Sequence, residues 1–295
     1  MLLAALAASW GLIAVLVAAV ALEAEALAFA RLTIAAATLG LIAACTGRIA
    51  SLRPGADMPA LVLLGVVQGA HWLLFFLAVK HGSVALAVLT FYTAPVFIAV
   101  AAPALLGERI SNVALGALVP GGIGVALVAL SGPDGGFSAW AIAAGLGSAV
   151  TYAALVIVSK RLLRGRAAPL TVAFWDCLVG AVAVAPTLLL VDRVLPVDGP
   201  DWGAVLALGV VFTGLSTLAY ATLLRRVTAQ AAGVLTFLEP VAAVLLAAVL
   251  VDEPLSGRVI AGGLLVLAAG LAVVVLEPAD GPVTEATAAV GSEAQ

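Results

Sequence analysis

The sequence predicts an all-α integral membrane protein whose ten transmembrane helices form two inverted five-helix repeats. Three observations predict this class. The 295-residue chain is 64% hydrophobic and only 10% charged, which leaves too few polar residues to cover a soluble fold of this size. Ten apolar runs each approach the length of about 20 residues that a helix needs to cross a bilayer. One long stretch of sequence also occurs twice.

The repeated stretch lies once in each half of the chain. Residues 88–130 read VLTFYTAPVFIAVAAPALLGERISNVALGALVPGGIGVALVAL, and residues 234–276 read VLTFLEPVAAVLLAAVLVDEPLSGRVIAGGLLVLAAGLAVVVL. Each copy has an apolar run with an early proline, a short charged turn and a second apolar run with glycines. A repeat this long indicates two related halves rather than a solenoid. The matched residues include Pro95 with Pro240, Glu108 with Glu253, Gly116 with Gly262 and Gly124 with Gly270.

The apolar runs divide evenly between the halves. We therefore predict a first repeat over residues 1–131 and a second over residues 138–276. Residues 277–295 are polar, acidic and small, which predicts a disordered tail. The ten predicted spans are 2–20, 26–45, 59–79, 83–106, 112–131, 138–159, 169–191, 202–223, 230–251 and 258–276.

Short charged connections separate these spans and predict their orientation. If the N-terminus is cytoplasmic, nine Lys and Arg residues lie on cytoplasmic connections and three on outer ones. Basic residues are enriched on the cytoplasmic side of membrane proteins. We therefore predict a multi-pass protein of the cell (inner or plasma) membrane with both termini in the cytoplasm.

Five spans in each half is an odd number, so the second half enters the membrane from the opposite side. Inverted repeats of this kind recur in secondary transporters, where the substrate site lies near the midplane between the halves. Each half can adopt the conformation of the other, which gives alternating access. The duplication therefore favours transport of a small-molecule substrate across the lipid bilayer.

Three segments resemble the EamA-type permeases of the drug/metabolite transporter superfamily. They are AFARLTIAAATL, with an early arginine typical of the second span, FLAVKHGSVALAVLTFYTAPVFIAVAAPALLGERIS, and GVLTFLEPVAAVLLAAVLVDEPLSGRVIAGG. The resemblance implies a ten-helix inverted-repeat permease in which spans one to four and six to nine line a central cavity, while spans five and ten pack peripherally. It also implies that small metabolites are moved, often amino acids and often outward.

Two polar and aromatic stripes predict the walls of that cavity. Each stripe has the spacing of residues on one face of a helix, and residues of one are offset by 145 from residues of the other. The alternative for the Ser and Thr residues is interhelical hydrogen bonding, which is routine in membranes. Span three contributes Gln68, His71, Trp72 and Phe75, and span eight contributes Thr213, Ser216, Thr217 and Tyr220.

Spans four, six and nine add further candidates. Thr90 and Thr93 precede Pro95 as Thr236 and Glu239 precede Pro240. A proline frees a backbone carbonyl one turn earlier, so a carbonyl beside these side chains is a candidate ligand for a polar substrate. The alternative is a kink used only for packing. Span six adds Tyr152.

Three formal charges lie within spans, namely Arg31, Asp176 and Glu239. Charges at membrane depth are costly and usually functional. We interpret Glu239 as a group that binds a substrate ammonium or couples transport to protons. Arg31 is a candidate partner for a substrate carboxylate, with snorkelling towards the surface as the alternative for both Arg31 and Asp176.

Other features predict structure rather than chemistry. Glu108 and Glu253 end spans four and nine in GERIS and DEPLS, and we interpret them as turn residues before the helix N-caps Ser111 and Ser256. The glycines of spans five and ten suit close packing, either within the monomer or in a homodimer seam. They are Gly116, Gly121, Gly122, Gly124, Gly262, Gly263 and Gly270.

Competing functions have weaker support in the sequence. No basic cluster indicates nucleic-acid binding, no nucleotide-binding P-loop motif is present, and two histidines without clustered intramembrane acids predict no metal or other cofactor. An intramembrane serine enzyme would use Ser216 in GLST, which lacks the final glycine of the usual motif. A partner subunit without transport activity of its own is the third alternative.

Overall fold

The structure is a computed structural model that describes residues 2–94, 96–98, 100–101, 112–131, 136–164, 167–196, 198–223 and 238–276. The expectations for Pro95, Glu108, Ser111 and Thr236, and for the tail 277–295, lie outside the described residues.

Every regular element in these described ranges is a helix, as the composition predicts. The helices are α1 (Leu2–Ala19), α2 (Ala24–Cys45), α3 (Met58–His81), α4 (Val84–Phe91), α5 (Asn112–Ala129), α6 (Ala139–Arg164), α7 (Pro169–Val184), α8 (Gly199–Leu206), α9 (Ser216–Leu223), α10 (Leu238–Leu250) and α11 (Gly257–Leu276).

Five helical segments are long and apolar enough to cross a membrane, and shorter apolar helices accompany them. The predicted all-helical membrane class is therefore confirmed, whereas the arrangement as ten inverted spans stays a prediction. The five segments are Ala24–Cys45, Ile49–His81, Ala139–Ser159, Pro169–Leu190 and Gly199–Ala219.

Two predicted spans are irregular where they approach the centre of the molecule. A π-helix, Ala207–Leu215, joins α8 to α9 within span eight. Span four leaves the α-helical path at Tyr92 and Thr93, just after α4 ends. The Thr90 hydroxyl donates to the Leu86 carbonyl at 2.6 Å, and the Thr93 hydroxyl donates to the Thr90 carbonyl at 2.7 Å. Side chains that bond to their own backbone in this way bend membrane helices.

Helices from the two halves of the sequence pack directly against one another. Helix α3 packs against α6 and α7, α2 packs against α7 and the π-helix, α1 packs against α10, and α4 packs against α6 and α10. These pairs enclose the main apolar core, whose largest fully buried side chains include Phe76, Leu27 and Leu32. The centre of the molecule is therefore built from both halves.

Helices α5 and α11 pack mainly on each other. Gly124 and Gly262 allow this close approach, because a methyl group added at either would lie 2.6 Å from the other's carbonyl oxygen. Gly263 packs on Leu89 and Gly121 on Ala269, so at least four of the seven glycines pack within the monomer. Gly116 and Gly122 have open space beside them, and the homodimer alternative stays a prediction.

One membrane face carries the connections after α1, α3, α7 and α10. There the Lys80 ammonium donates to the Val20 carbonyl, and the Ala21 N–H donates to the Asp201 carboxylate at 3.0 Å. A cavity of about 500 Å³ opens at this face, away from the polar side chains of the centre. It is lined by Val20, Ala21, Leu22, Glu23, Ala24, Glu25, Lys80, His81, Asp192 and Arg193.

Candidate substrate-binding site

A fully buried arginine lies at the centre of the molecule. Arg31 of α2 is 1% exposed, so it does not snorkel to the surface in this structure. Its guanidinium carbon lies 3.6 Å from the ring centroid of Trp72 in α3 and 5.6 Å from that of Phe76. A guanidinium over an aromatic face is attracted by the ring quadrupole, and more strongly when desolvated.

The π-helix supplies the hydrogen-bond acceptors for this arginine. Arg31 Nε donates to the Thr213 hydroxyl, and Nη2 donates to the Phe212 carbonyl at 3.2 Å. The Ser216 hydroxyl donates to the same carbonyl at 2.8 Å. Trp72 of the α3 stripe and Thr213 of the span-eight stripe therefore both contact Arg31, and π-helical turns are frequent at functional sites.

Two buried N–H donors remain without a partner at this position. They are Arg31 Nη1 and Trp72 Nε1, which make no hydrogen bond within the part of the chain that the structure describes. Unpaired buried donors are costly and call for a specific explanation. Adjacent donors on a cation and an indole suit an anionic group such as a carboxylate.

His71 is held in an aromatic cluster beside this pair. Its Nδ1 lies 2.9 Å from the Ser148 carbonyl, and since a carbonyl can only accept, Nδ1 carries the proton. The rings of Trp72, Phe91 and Tyr152 lie 4.7, 5.3 and 5.3 Å from the His71 ring centroid. This cluster gives the site a rigid apolar wall.

An acidic group from the second half faces the same region. Glu239 lies in the first turn of α10, and its carboxylate accepts a hydrogen bond from the Tyr92 hydroxyl at 3.0 Å. The Tyr92 ring packs edge-on against Phe91 of the His71 cluster, with ring centroids 5.2 Å apart. A cation from one half and an anion from the other thus flank an aromatic wall, an arrangement that suits an amphipathic zwitterion.

Asp176 occupies the position in α7 that corresponds to Arg31 in α2. It is 6% exposed, and its Oδ1 atom has no hydrogen-bond partner among the described residues. Neither Asp176 nor Arg31 therefore reaches the surface, which disfavours the snorkelling interpretation for this conformation.

The remaining predicted site residues are distributed as follows. Gln68 is 7% exposed and Phe75 packs in the aromatic cluster. The Thr90 and Thr93 hydroxyls bond to their own helix. Thr217 is half-buried in α9, and Tyr220 lies on the same helix.

Three aromatic residues of the site were not among the predicted site residues. Phe76 contacts Trp72 and faces Arg31, Phe91 joins the His71 cluster, and Tyr92 binds Glu239. Phe91 and Tyr92 lie next to the irregularity in span four, and Phe76 follows Trp72 by one helical turn. Closeness to a helix irregularity and a spacing of one helical turn from a predicted site residue are the sequence signals that could have identified these three aromatic residues.

The helical membrane fold and a buried site built from both halves define a membrane transport protein. The sequence profile of the EamA-like transporter family matches residues 1–130 and again residues 139–276. The chain therefore belongs to the EamA-like transporter family.

Individual relatives agree with this family. An uncharacterised transporter of Archaeoglobus fulgidus is 29% identical over 194 residues, which cover 66% of this chain and 68% of the relative. The pseudopaline exporter CntI of Pseudomonas aeruginosa is 29% identical over 154 residues, 52% of this chain and 53% of the exporter. The match thus spans about half the length of that exporter. A crystal structure of a protein with 25% sequence identity aligns with a TM-score of 0.67. The alignment covers 93% of this chain and 96% of the chain in that structure.

Proposed function

We propose that this protein is a secondary transporter that exports small polar or amphipathic, amino-acid-like metabolites by alternating access between inverted repeats. The observation that carries the proposal is the buried Arg31 guanidinium, which is stacked on Trp72 and has one N–H donor without a partner among the described residues. Buried charges inside membrane proteins mark substrate pathways. Arg31 binds the substrate carboxylate, Glu239 receives its ammonium group, and the aromatic cluster contacts its apolar part.

Equivalent packing contacts support the inverted repeats. A methyl group added at Gly209 would lie 2.5 Å from Ile34, and one added at Gly65 would overlap Val179. Residues 34 and 179 are 145 apart, and residues 65 and 209 are 144 apart. The contacts of span two with span eight and of span three with span seven therefore use positions of the two repeats, 1–131 and 138–276, that match to within one residue.

The outward direction is supported by a relative that is named as an exporter. The cytoplasmic location of both termini follows from the positive charges, and the native cysteines allow a test. Cys45 is exposed at the end of α2, whereas Cys177 is buried. A membrane-impermeant maleimide should label Cys45 in permeabilised cells and in inside-out vesicles but not in intact cells. Labelling in intact cells would reverse the orientation.

The substrate class is tested by a thermal-stability screen of the full chain in nanodiscs. The twenty standard amino acids are the first probes, followed by the corresponding amine and carboxylic acid of any that binds. A compound that binds only the folded state raises the melting temperature. We expect the zwitterion to stabilise more than either analogue, and counterflow in proteoliposomes should then show its transport.

Matched variants locate the binding site in the same screen. Trp72→Ala and Glu239→Gln should abolish the shift, while Asp198→Asn should keep it, since Asp198 is an exposed cap that accepts from Asp201 N–H within its own segment. A shift that survives both site variants would place binding elsewhere. A shift given only by compounds without a carboxylate would contradict the substrate class.

Proton coupling through Glu239 is a separate part of the proposal. Among the described residues, the titratable group that contacts Glu239 is Tyr92, and Arg31 is the fully buried cation of the same site. Counterflow of the identified amino acid under an imposed pH gradient should respond to the gradient in the wild type and lose that response in Glu239→Gln. An unaltered response would remove Glu239 from the coupling role and leave it only the substrate-binding role.

The relatives named as transporters favour a permease over an intramembrane enzyme or a partner subunit without transport activity of its own. At the centre of the site, the Ser216 hydroxyl is bonded to the Phe212 carbonyl, and His71 Nδ1 is bonded to the Ser148 carbonyl. Neither contact joins a serine to a histidine as a nucleophile–base pair would require. A partner subunit would predict that cell-based export is unaffected by Arg31→Lys or Trp72→Ala.

A further inference from the structure

A glutamate of the second half caps the start of a helix in the first half. The Glu253 carboxylate accepts hydrogen bonds from the N–H groups of Val84 and Ala85, each at 2.9 Å. Ser83 supplies acceptors for the next two N–H groups of α4. Three of the four N–H groups that a helix cannot satisfy internally, those of Val84, Ala85 and Leu86, thus have partners, and Glu253, about 170 positions away, supplies two of them.

The turn after α10 directs Glu253 towards α4. Asp252 has a φ of 54°, in the left-handed region that Asp tolerates better than most residues. The Glu253 N–H donates back to the Ala247 carbonyl at 3.2 Å, which holds the turn against the end of α10. Asp252 is exposed and Glu253 is half-buried, so of the two neighbouring carboxylates only Glu253 caps α4.

The capped helix end is shielded from water. Val84 is 1% exposed and Ala85 is 2% exposed. If α4 and the turn after α10 separated at this face, two N–H donors and one carboxylate would each need new partners. Buried donors left without partners are costly, so this contact opposes separation of the two helices.

A second carboxylate joins the same two helices at their other ends. Tyr92 follows α4 directly and donates to Glu239, in the first turn of α10, at 3.0 Å. Glu239 and Glu253 therefore lie at opposite ends of α10, and their partners lie at opposite ends of α4. Helices α4 and α10 come from different halves of the chain and are tied at both ends.

We propose, resting on the transport function above, that Glu253 is a positioning residue of the substrate site. With Glu239 it forms a clamp that makes α4 and α10 move as one unit. Contact of a substrate with Glu239 is thereby coupled to opening of the membrane face that carries residues 82–83 and 252–256. In the sequence repeat Glu108 corresponds to Glu253, but Thr93 takes the place of Glu239. The corresponding pair in the first repeat would thus have one carboxylate rather than two and would hold its helices less strongly. The clamp of Glu239 and Glu253 therefore favours the conformation in which this face is closed.

Hydrogen exchange tests the clamp without any substrate. The full chain in nanodiscs is exchanged and digested, and the Val84 and Ala85 amides are followed by mass spectrometry. Loss of a charge-assisted hydrogen bond in Glu253→Gln should raise their exchange about tenfold. Asp252→Asn is the matched control, because the Asp252 carboxylate does not cap α4. It should leave the exchange of the Val84 and Ala85 amides at the wild-type rate.

Glu239→Gln is the decisive variant, because it alters the opposite end of the clamp. If the two carboxylates act together, it should raise exchange of the Val84 and Ala85 amides about twofold or more. A purely local helix cap would not respond to this change. The result is independent of whether any Glu253 variant folds.

Two outcomes would overturn the clamp. The first is wild-type exchange of Val84 and Ala85 in Glu239→Gln. The second is an equal rise in α5 and α11, which would show general loosening instead of coupling. Failure of the amino-acid screen would count against the proposed substrate class but would leave this exchange result unaffected, so the two proposals fail separately.

Discussion

The Arg31 guanidinium carbon lies 3.6 Å from the centroid of the Trp72 ring, in the contact region of α2 and α3. The hydrogen bonds of this guanidinium among the described residues go to Thr213 and Phe212, and Nη1 is left over. The ring and the two acceptors are uncharged, so they hold the guanidinium in place without neutralising its positive charge. The arginine is thus preorganised for an anionic group, and preorganisation lowers the entropic cost of binding.

Replacing Arg31 with lysine should weaken binding of the amino acid identified in the screen about tenfold or more. Lysine keeps the positive charge but loses the planar fork that both stacks and donates in fixed directions, and hydrogen bonds to charged groups contribute about 1.5–3 kcal/mol. Titrations followed by thermal shift in nanodiscs would measure the change.

The matching amine, which lacks the carboxylate, is the control for this variant. It should bind wild type and Arg31→Lys with equal affinity, because Arg31 contacts only the acid group in the proposed site. Equal loss for amine and zwitterion would mean that Arg31 supports the fold instead of recognising a carboxylate.

Trp72 should be more tolerant of phenylalanine than of alanine. Trp72→Phe keeps a ring face beneath Arg31, whereas Trp72→Ala removes the ring from a cluster that includes His71 and Phe76. Large-to-small aromatic substitutions in cores cost about 3–5 kcal/mol. Thermal unfolding in nanodiscs should rank wild type first, Phe second and Ala last, and equal melting temperatures for the two variants would argue against the stacking contact.

The sequence predicts single helices better than it predicts their contacts. The observed helices follow the predicted apolar runs closely, because the composition of a run is a local property that determines whether it can cross a bilayer. The position of Arg31 and Glu239 within apolar spans also identified them as unusual charges. The sequence named Trp72 as a site residue, but it could not show that Trp72 lies beneath Arg31 or that Tyr92 binds Glu239, because these contacts depend on how distant helices pack.

The π-helix of span eight escaped prediction for a related reason. The π-helix Ala207–Leu215 carries no proline, and its apolar residues fit an ordinary α-helix equally well. The Ser216 N–H donates to the Val211 carbonyl, five residues back, as in a π-helix, and the Thr213 hydroxyl donates to the Leu208 carbonyl, also five residues back, at 2.7 Å. Since Arg31 donates to the same hydroxyl, the irregular turn lies at the contact with α2, which sequence reasoning about a single span does not reach.

Tyr92 and Glu239 should show coupled effects on stability. The single variants Tyr92→Phe and Glu239→Gln each weaken the same 3.0 Å hydrogen bond, so the double variant should lose less than the sum of the two. Coupling energies for contacting residues are about 0.5–3 kcal/mol. Unfolding free energies of the four proteins form the cycle, and strict additivity would contradict a functional contact between these side chains.

Gly209 and Gly203 lie in the same predicted span and should respond oppositely to alanine. A methyl group at Gly209 would lie 2.5 Å from the Ile34 Cβ, whereas one at Gly203 meets nothing within 4 Å. Overpacking typically costs about 1–3 kcal/mol, while Gly→Ala in an open helical position stabilises by about 0.4–1 kcal/mol. We therefore expect Gly209→Ala to lower the melting temperature and Gly203→Ala to raise it slightly. Gly65→Ala, at the corresponding position of the first repeat, should resemble Gly209→Ala. A tolerated Gly65→Ala beside a destabilising Gly209→Ala would mean that the two interfaces are not equivalent and would count against the inverted repeat.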